Sequence, residues 1–390
     1  MNQVATPEPS SSGADFVKSR RSSIIAAIFL MATSAIGPGF ITQTATFTTK
    51  LGPAFAFGIL ASVLIDFVVQ LNVWRMIALS RRNASALANA ALPGSGHVLG
   101  LPAKWGGLIS AALAVGIFAS SRAGAAVDRL IIWLGLLMIV MTAYVAFVSG
   151  PPVGEALQQM VVPQLVDWTA ITTIVGGTVG GYITYAGAHR LLDRGTVGSE
   201  NLGAVTAGAL NGIAVTGVMR FLLFLAILGV VSSGVAIDVS GKGANPAAQA
   251  FQAAAGEFGL RVFGLVLWAA AITSVIGAAY TSMSFLSAFK SDISERARNR
   301  ATVVFIAVSL AVFLLMGTAP AALLVFAGGF NGLILPLGMT IFMIIGWRRA
   351  DLLGGVSYPK WLLVLGTAVC VLTWYMGVVS VGPIFRLLAA

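Results

Sequence analysis

The chain has 390 residues, of which 58% are hydrophobic and only 9% charged, and its mean hydropathy is +0.93. So little charge cannot cover a soluble domain of this length, and strand-sized alternation is absent, which leaves an all-α polytopic membrane protein and excludes an outer-membrane barrel. The formal charge of +10 sits mostly in short connections between apolar runs, where it reports topology rather than nucleic-acid binding. One cysteine, Cys370, and two histidines, His97 and His189, exclude a disulfide framework, a thiolate metal site and a histidine-rich metal site, and no cofactor is expected.

Residues 1–22 are polar and read as a disordered tail, and 23–390 read as a single membrane domain. Apolar runs fall at 24–48, 53–79, 105–121, 129–149, 168–192, 207–235, 258–289, 301–317, 320–346 and 361–384. The first run lacks a small-residue cleavage site followed by a soluble domain, so it is expected to be a retained helix and not a signal peptide.

The first run carries Gly37-Pro38-Gly39. Proline removes a backbone donor and collides with the preceding turn, and the glycines lower the resistance to unwinding. In lipid such a break survives where it faces protein or a wet cavity. Thr33, Thr42, Gln43, Thr44, Thr46, Thr48 and Thr49 surround it with neutral hydrogen-bonding groups. This is the lining expected of a substrate site at the bilayer midplane; a proline kink with back-bonded hydroxyls is the plainer alternative.

Lys18, Arg20 and Arg21 place the N-terminus in the cytoplasm of what reads as a bacterial inner-membrane protein, and Arg75, Arg81 and Arg82 return to that side two crossings later. Downstream basic residues fall on the same side only if the uncharged stretch 84–103 crosses or re-enters, giving about 10–11 transmembrane helices. The run 168–192 then lies five crossings after the first break, and it contains Gly176, Gly177, Gly180 and Gly181. Two interrupted helices at corresponding places point to an inverted-repeat transporter, with repeats at about 24–149 and 168–346 and an extra C-terminal helix at about 361–384. Close helix packing is the alternative use of these glycines.

Gly37-Pro38-Gly39-Phe40, Ile174-Val175-Gly176-Gly177-Thr178 and the eleven-helix layout resemble the NRAMP family of divalent-metal transporters. That resemblance implies a LeuT-like fold with discontinuous helices one and six. Family members bind metal through the Asp and Asn of a DPGN motif in helix one and the Met of an MPH motif in helix six. Counting from Gly-Pro-Gly puts the first motif on Thr48-Thr49-Lys50-Leu51 and the second on Gly180-Gly181-Tyr182, so those ligands are missing. The chain is most similar to a divergent branch whose members are often encoded beside pyroglutamate-degrading enzymes, which implies a small organic substrate such as a pyrrolidone carboxylate.

Thr42, Gln43, Thr44, Thr46, Thr48, Gly176, Gly177, Gly180, Gly181, Tyr182, Tyr185 and Asn331 are the expected substrate-binding residues. Asn331 sits in 328–336, which reads as a further irregular helix. Asp66 and His189 are candidates for proton coupling, with an ion pair and an interfacial cap as their plainer roles. Arg220 either meets a substrate carboxylate or snorkels to the headgroups. The expected function is proton-coupled alternating-access transport of a small polar organic solute across a lipid bilayer. A divalent-cation transporter, an ion channel and a non-functional relative shortened at helix three stay open, as does the oligomeric state. No enzyme activity is expected, because no nucleophile–base pair or metal set converges.

Overall fold

The computed structural model describes residues 13–91, 123–239, 245–284, 295–316 and 321–386, and every regular element among them is helical. In chain order the helices are α1 Gly13–Ala35, α2 Pro38–Leu51, α3 Phe55–Ser80, α4 Ala84–Ala91, α5 Ala123–Val148, α6 Val153–Val161, α7 Trp168–Gly176, α8 Ile183–Asp193, α9 Leu202–Ser232, α10 Pro246–Ser284, α11 Glu295–Met316, α12 Ala321–Arg348 and α13 Lys360–Arg386. The expected tail 1–22 needs correcting, because α1 already begins at Gly13. Of the stretch 84–103 only α4 belongs to the described residues; its remainder and the apolar run 105–121 lie outside them.

Both breaks form where the sequence places them. Ile36 N–H still donates to the Ala32 carbonyl at 3.0 Å. Gly37 then turns extended (φ −75°, ψ 173°) and α2 restarts with Pro38 in its first turn, where a missing N–H costs nothing. Asp167 caps α7 by accepting the Ala170 N–H at 2.9 Å, a role suited to a short carboxylate. At the far end Gly177, Val179 and Gly180 fold back onto the Thr173 and Val175 carbonyls. Gly181 takes φ 57°, a conformation that favours glycine, and α8 then begins. With nine and eleven residues, α7 and α8 reach the roughly 20 residues of a membrane crossing only together. Ser199–Ser232, Pro246–Ala279, Ala322–Arg348 and Lys360–Arg386 are each long and apolar enough alone. The irregularity expected around 328–336 is absent: α12 runs unbroken through Pro336.

The halves of the two interrupted spans pack crosswise. α1 lies against α8, α9, α5 and α10, while α2 and α7 share α12 as a neighbour. Trp133, Val140, Phe147, Val308, Val371 and Val378 point out of the bundle, apolar and exposed, a surface that suits hydrocarbon rather than water.

Candidate functional site

Gln43, on α2 just past the first break, is buried, and its amide is slotted between the second break and α12. Nε2 donates to the Leu324 carbonyl at 3.1 Å, while Oε1 has no hydrogen-bond partner. A Cβ added to Gly177 would fall on Gln43 Oε1, and one added to Gly328 would fall on Nε2. A buried carbonyl oxygen without a donor costs about 1–3 kcal/mol, so such a group in a native fold marks a place built to be met by something else.

The other glycines divide by what they touch. The space a Gly176 side chain would need is filled by the Gly328 carbonyl and the Gly332 backbone nitrogen, so α12 lies directly against α7. A Cβ on Gly180 would stand 2.9 Å from Asn331 Cβ, and one on Gly181 would stand 3.0 Å from Asn331 Oδ1. Close packing and site building are therefore both served here, with Asn331 brought to the second break. Tyr182 donates from its hydroxyl to the Ser274 carbonyl of α10 at 3.4 Å. The Tyr185 ring stacks between His189 and Phe342, with centroids 6.1 and 6.2 Å away, which is a packing position.

Thr42, Thr44, Thr46 and Thr48 are all buried on α2, and the last three have hydroxyls without partners. Because 38–51 is one continuous helix, Thr44 and Thr48 point about 100° or more around it from Gln43. The structure thus brings Gln43, Gly177, Gly180, Gly181 and Asn331 together, and spreads the threonines over several faces of α2. It also moves the family motif positions. The unwound point is at Ile36–Gly37, whereas 48–51 is helical. Setting Pro-Gly on Pro-Gly puts Gly37 and Phe40 where the DPGN motif has Asp and Asn, again without a carboxylate.

Asp66 and Arg220 form a fully buried ion pair between α3 and α9. Arg220 Nη1 also donates to Ser62 Oγ at 2.9 Å, and its guanidinium lies 5.9 Å from the centroid of the Phe40 ring. Snorkelling is thereby overturned, since Arg220 is 1% exposed. Asp66 Oδ1 accepts from Thr178 in the second break at 3.4 Å, so the pair touches the second break through Thr178 and the first turn of α2, just past the first break, through Phe40. His189 is buried, and its Nε2 accepts the Ala84 N–H at the start of α4 at 3.1 Å. That bond needs an unprotonated Nε2, so a second ring proton would break it.

Sequence reasoning gave no role to Ser34, Ser274 and Gly328, small residues with no compositional signal in an apolar run, and used Thr178 only as part of the 174–178 motif. It also passed over the Gln70–Thr184 bond of 2.9 Å, which ties α3 to α8. Among the described residues no three His, Cys, Asp or Glu side chains converge in a way that could hold a metal ion.

The sequence profile of the natural resistance-associated macrophage protein-like (Nramp) family matches residues 84–382. An uncharacterized membrane protein of Bacillus subtilis (strain 168), YcsG, is 44% identical, with 91% of this chain and 93% of that protein covered. An uncharacterized membrane protein of Haemophilus influenzae Rd is 43% identical, covering 90% of this chain and 94% of that one. Among solved structures, the Eremococcus coleocola manganese transporter superposes with a TM-score of 0.60 at 16% identity, covering 98% of this chain and 89% of that one. The architecture shared with that structure is the LeuT-like transporter fold.

Proposed function

The chain belongs to the Nramp family and is an integral membrane transporter of LeuT-like fold, not an enzyme, and from there we propose that its cargo is a small polar organic solute, with a pyroglutamate-like lactam acid as the candidate to test. The unpartnered Gln43 Oε1 between the two breaks carries this reading. A lactam or amide N–H would satisfy that oxygen, and the N-terminus of α2 at Pro38 offers a favourable field to a carboxylate. Amide and hydroxyl oxygens recompense the dehydration of a divalent cation poorly, for which carboxylate, imidazole or thioether donors are better suited.

Proton coupling through Asp66 accompanies this reading. A proton on Asp66 would weaken its hold on Thr178 and on Arg220 together, and so loosen a link between the breaks. Lys18, Arg20, Arg21, Arg75, Arg81 and Arg82 argue for a cytoplasmic N-terminus.

The test is parallel uptake of labelled pyroglutamate and labelled manganese into proteoliposomes under an inward proton gradient. Saturable pyroglutamate uptake abolished by a protonophore is expected. Saturable manganese uptake with no organic-acid uptake refutes the proposal in favour of the divalent-cation reading.

A further inference from the structure

We propose that α6 is an interfacial helix whose uncovered apolar stripe, Val153, Leu157 and Val161, is seated in the headgroup–acyl boundary of the bilayer, so that its partner is the lipid surface itself. The corner that aims it is local. Gly150 takes φ 60°, and Pro151 and Pro152 follow it. Neither proline has an N–H to extend α5, so that helix stops. α6 then starts where the Ala156 N–H donates to the Pro152 carbonyl at 3.0 Å. The chain bends by 109° between α5 and α6. With α5 crossing the bilayer, α6 therefore lies close to the membrane plane. The bend exceeds a right angle, so the C-terminal end of this nine-residue helix dips back toward the hydrocarbon by about 4 Å.

Three sides of α6 meet three surroundings. Ala156 and Gln159 are buried and Met160 is half-buried beside them, where α6 packs against α3 and the turn Gly52–Ala54. Gln159 is used within the protein, its Oε1 accepting the Gln164 N–H at 2.8 Å. Val153, Leu157 and Val161 recur at four-residue intervals and are 41%, 50% and 74% exposed. Glu155 and Gln158 are exposed as well, but polar. At 100° per residue the three sets point roughly a third of a turn from one another. A surface helix between protein and water needs only two sides, one covered and one polar. A third side that is apolar and uncovered calls for a third medium, which a helix lying in the bilayer interface has.

The neighbouring surface says which medium it is. Trp133, Val140 and Phe147 form the exposed apolar side of α5, and Phe147 and Val148 carry it up to the corner. Past α6, the exposed Val162 and Leu165 extend it further. The stripe thus continues the lipid-facing surface of the bundle. Residues 149–168 contain no Lys or Arg, and their charges are Glu155 and Asp167. Attraction to anionic headgroups therefore contributes nothing, and burial of apolar surface alone holds the helix down. Because α6 packs on the turn Gly52–Ala54 that joins α2 to α3, the lipid surface fixes that turn at the edge of the bilayer. None of this depends on the solute reading.

The test is a nitroxide label placed in turn at Leu157→Cys, Val161→Cys and Gln158→Cys in the full chain, in phosphatidylcholine liposomes. Cys370 is buried, and the parent treated identically is the blank. Collision with dissolved oxygen, which concentrates in hydrocarbon, is compared with collision with a water-soluble nickel chelate. The oxygen-to-nickel ratio is expected to be severalfold higher at positions 157 and 161 than at 158, and to stay so when phosphatidylglycerol is added. If the label at 157 prevents reconstitution, Val153→Cys is read in its place. Nickel collision at 157 and 161 equal to that at 158 places the stripe in water and overturns the proposal. An immobilised label shielded from both reagents means that a second copy or another protein covers it, and overturns it too. So does a pattern that appears only with the anionic lipid.

Discussion

Gly177→Ala isolates the role of Gln43. Gly177 has φ −73° and ψ −9°, ordinary for alanine, so the backbone is not strained. Removing a glycine's unfolded-state freedom even stabilises by about 0.4–1 kcal/mol. The new methyl would land on Gln43 Oε1 and lie 3.1 Å from the Gln43 Cδ and Nε2 positions, so the amide must swing away or the α7 end must shift. Overpacking of this kind costs about 1–3 kcal/mol, giving a net loss of at most about 2–3 kcal/mol and a protein that still folds. The displaced amide no longer presents its oxygen to a solute, and one lost hydrogen bond of about 1.4 kcal/mol lowers affinity about tenfold. The assay is uptake of labelled pyroglutamate into proteoliposomes, with thermal unfolding measured on the same preparation. Gly203→Ala is the control, since a Cβ there meets nothing within 4 Å. If Gly177→Ala transports with the parent's KM and rate, Gln43 does not meet the solute and the site has been misplaced.

The ion pair should behave as a unit. Asp66→Asn or Arg220→Gln alone leaves an uncompensated buried charge and should lower stability by about 3–5 kcal/mol, whereas the double variant regains most of that loss, as thermal unfolding in detergent will show. His189→Ala removes the acceptor for the Ala84 N–H and should cost about 1 kcal/mol, while His189→Gln, which keeps an acceptor, should cost less by the same measurement. Outside the spans, the Arg349 hydrogen bonds hold the Asp351 carboxyl below the usual carboxylate range. A depressed pKa adds stability above the unfolded value that is lost as pH falls through the folded one. The stability difference between parent and Asp351→Asn should therefore be constant at neutral pH and shrink only below about pH 4 in an acid unfolding series.

Both breaks were readable because proline and clustered glycine are costly inside a membrane helix and leave a mark in composition. Gln43 and the Asp66–Arg220 pair were readable for a related reason: amides and charges are rare at that depth and need partners. What escaped had no such mark. Ser34, Ser274 and Gly328 matter only through what packs against them, and small residues are ordinary in these helices. How the threonines of α2 are distributed was not legible either, because nearness in sequence is not nearness in space when successive residues on a helix point about 100° apart. The family motif was misplaced for a comparable reason: residues were counted along the chain, while the unwinding follows the proline. Pro336 misled in the opposite direction, since packing against α7 and α13 keeps α12 continuous.

The second break also divides the bundle by attachment. α7 is interlocked with α12 through Gly176, Gly328 and Gly332, and tied to α13 where Thr172 Oγ1 meets Ser380 Oγ at 3.0 Å. α8 belongs with α3, through the Trp74 indole on the Thr184 carbonyl at 3.0 Å and the fit of Gly187 against that ring. The two stretches of one crossing thus share α3 as a neighbour but differ in their other companions, α12 and α13 for α7 and α1 for α8, with the six residues 177–182 between them.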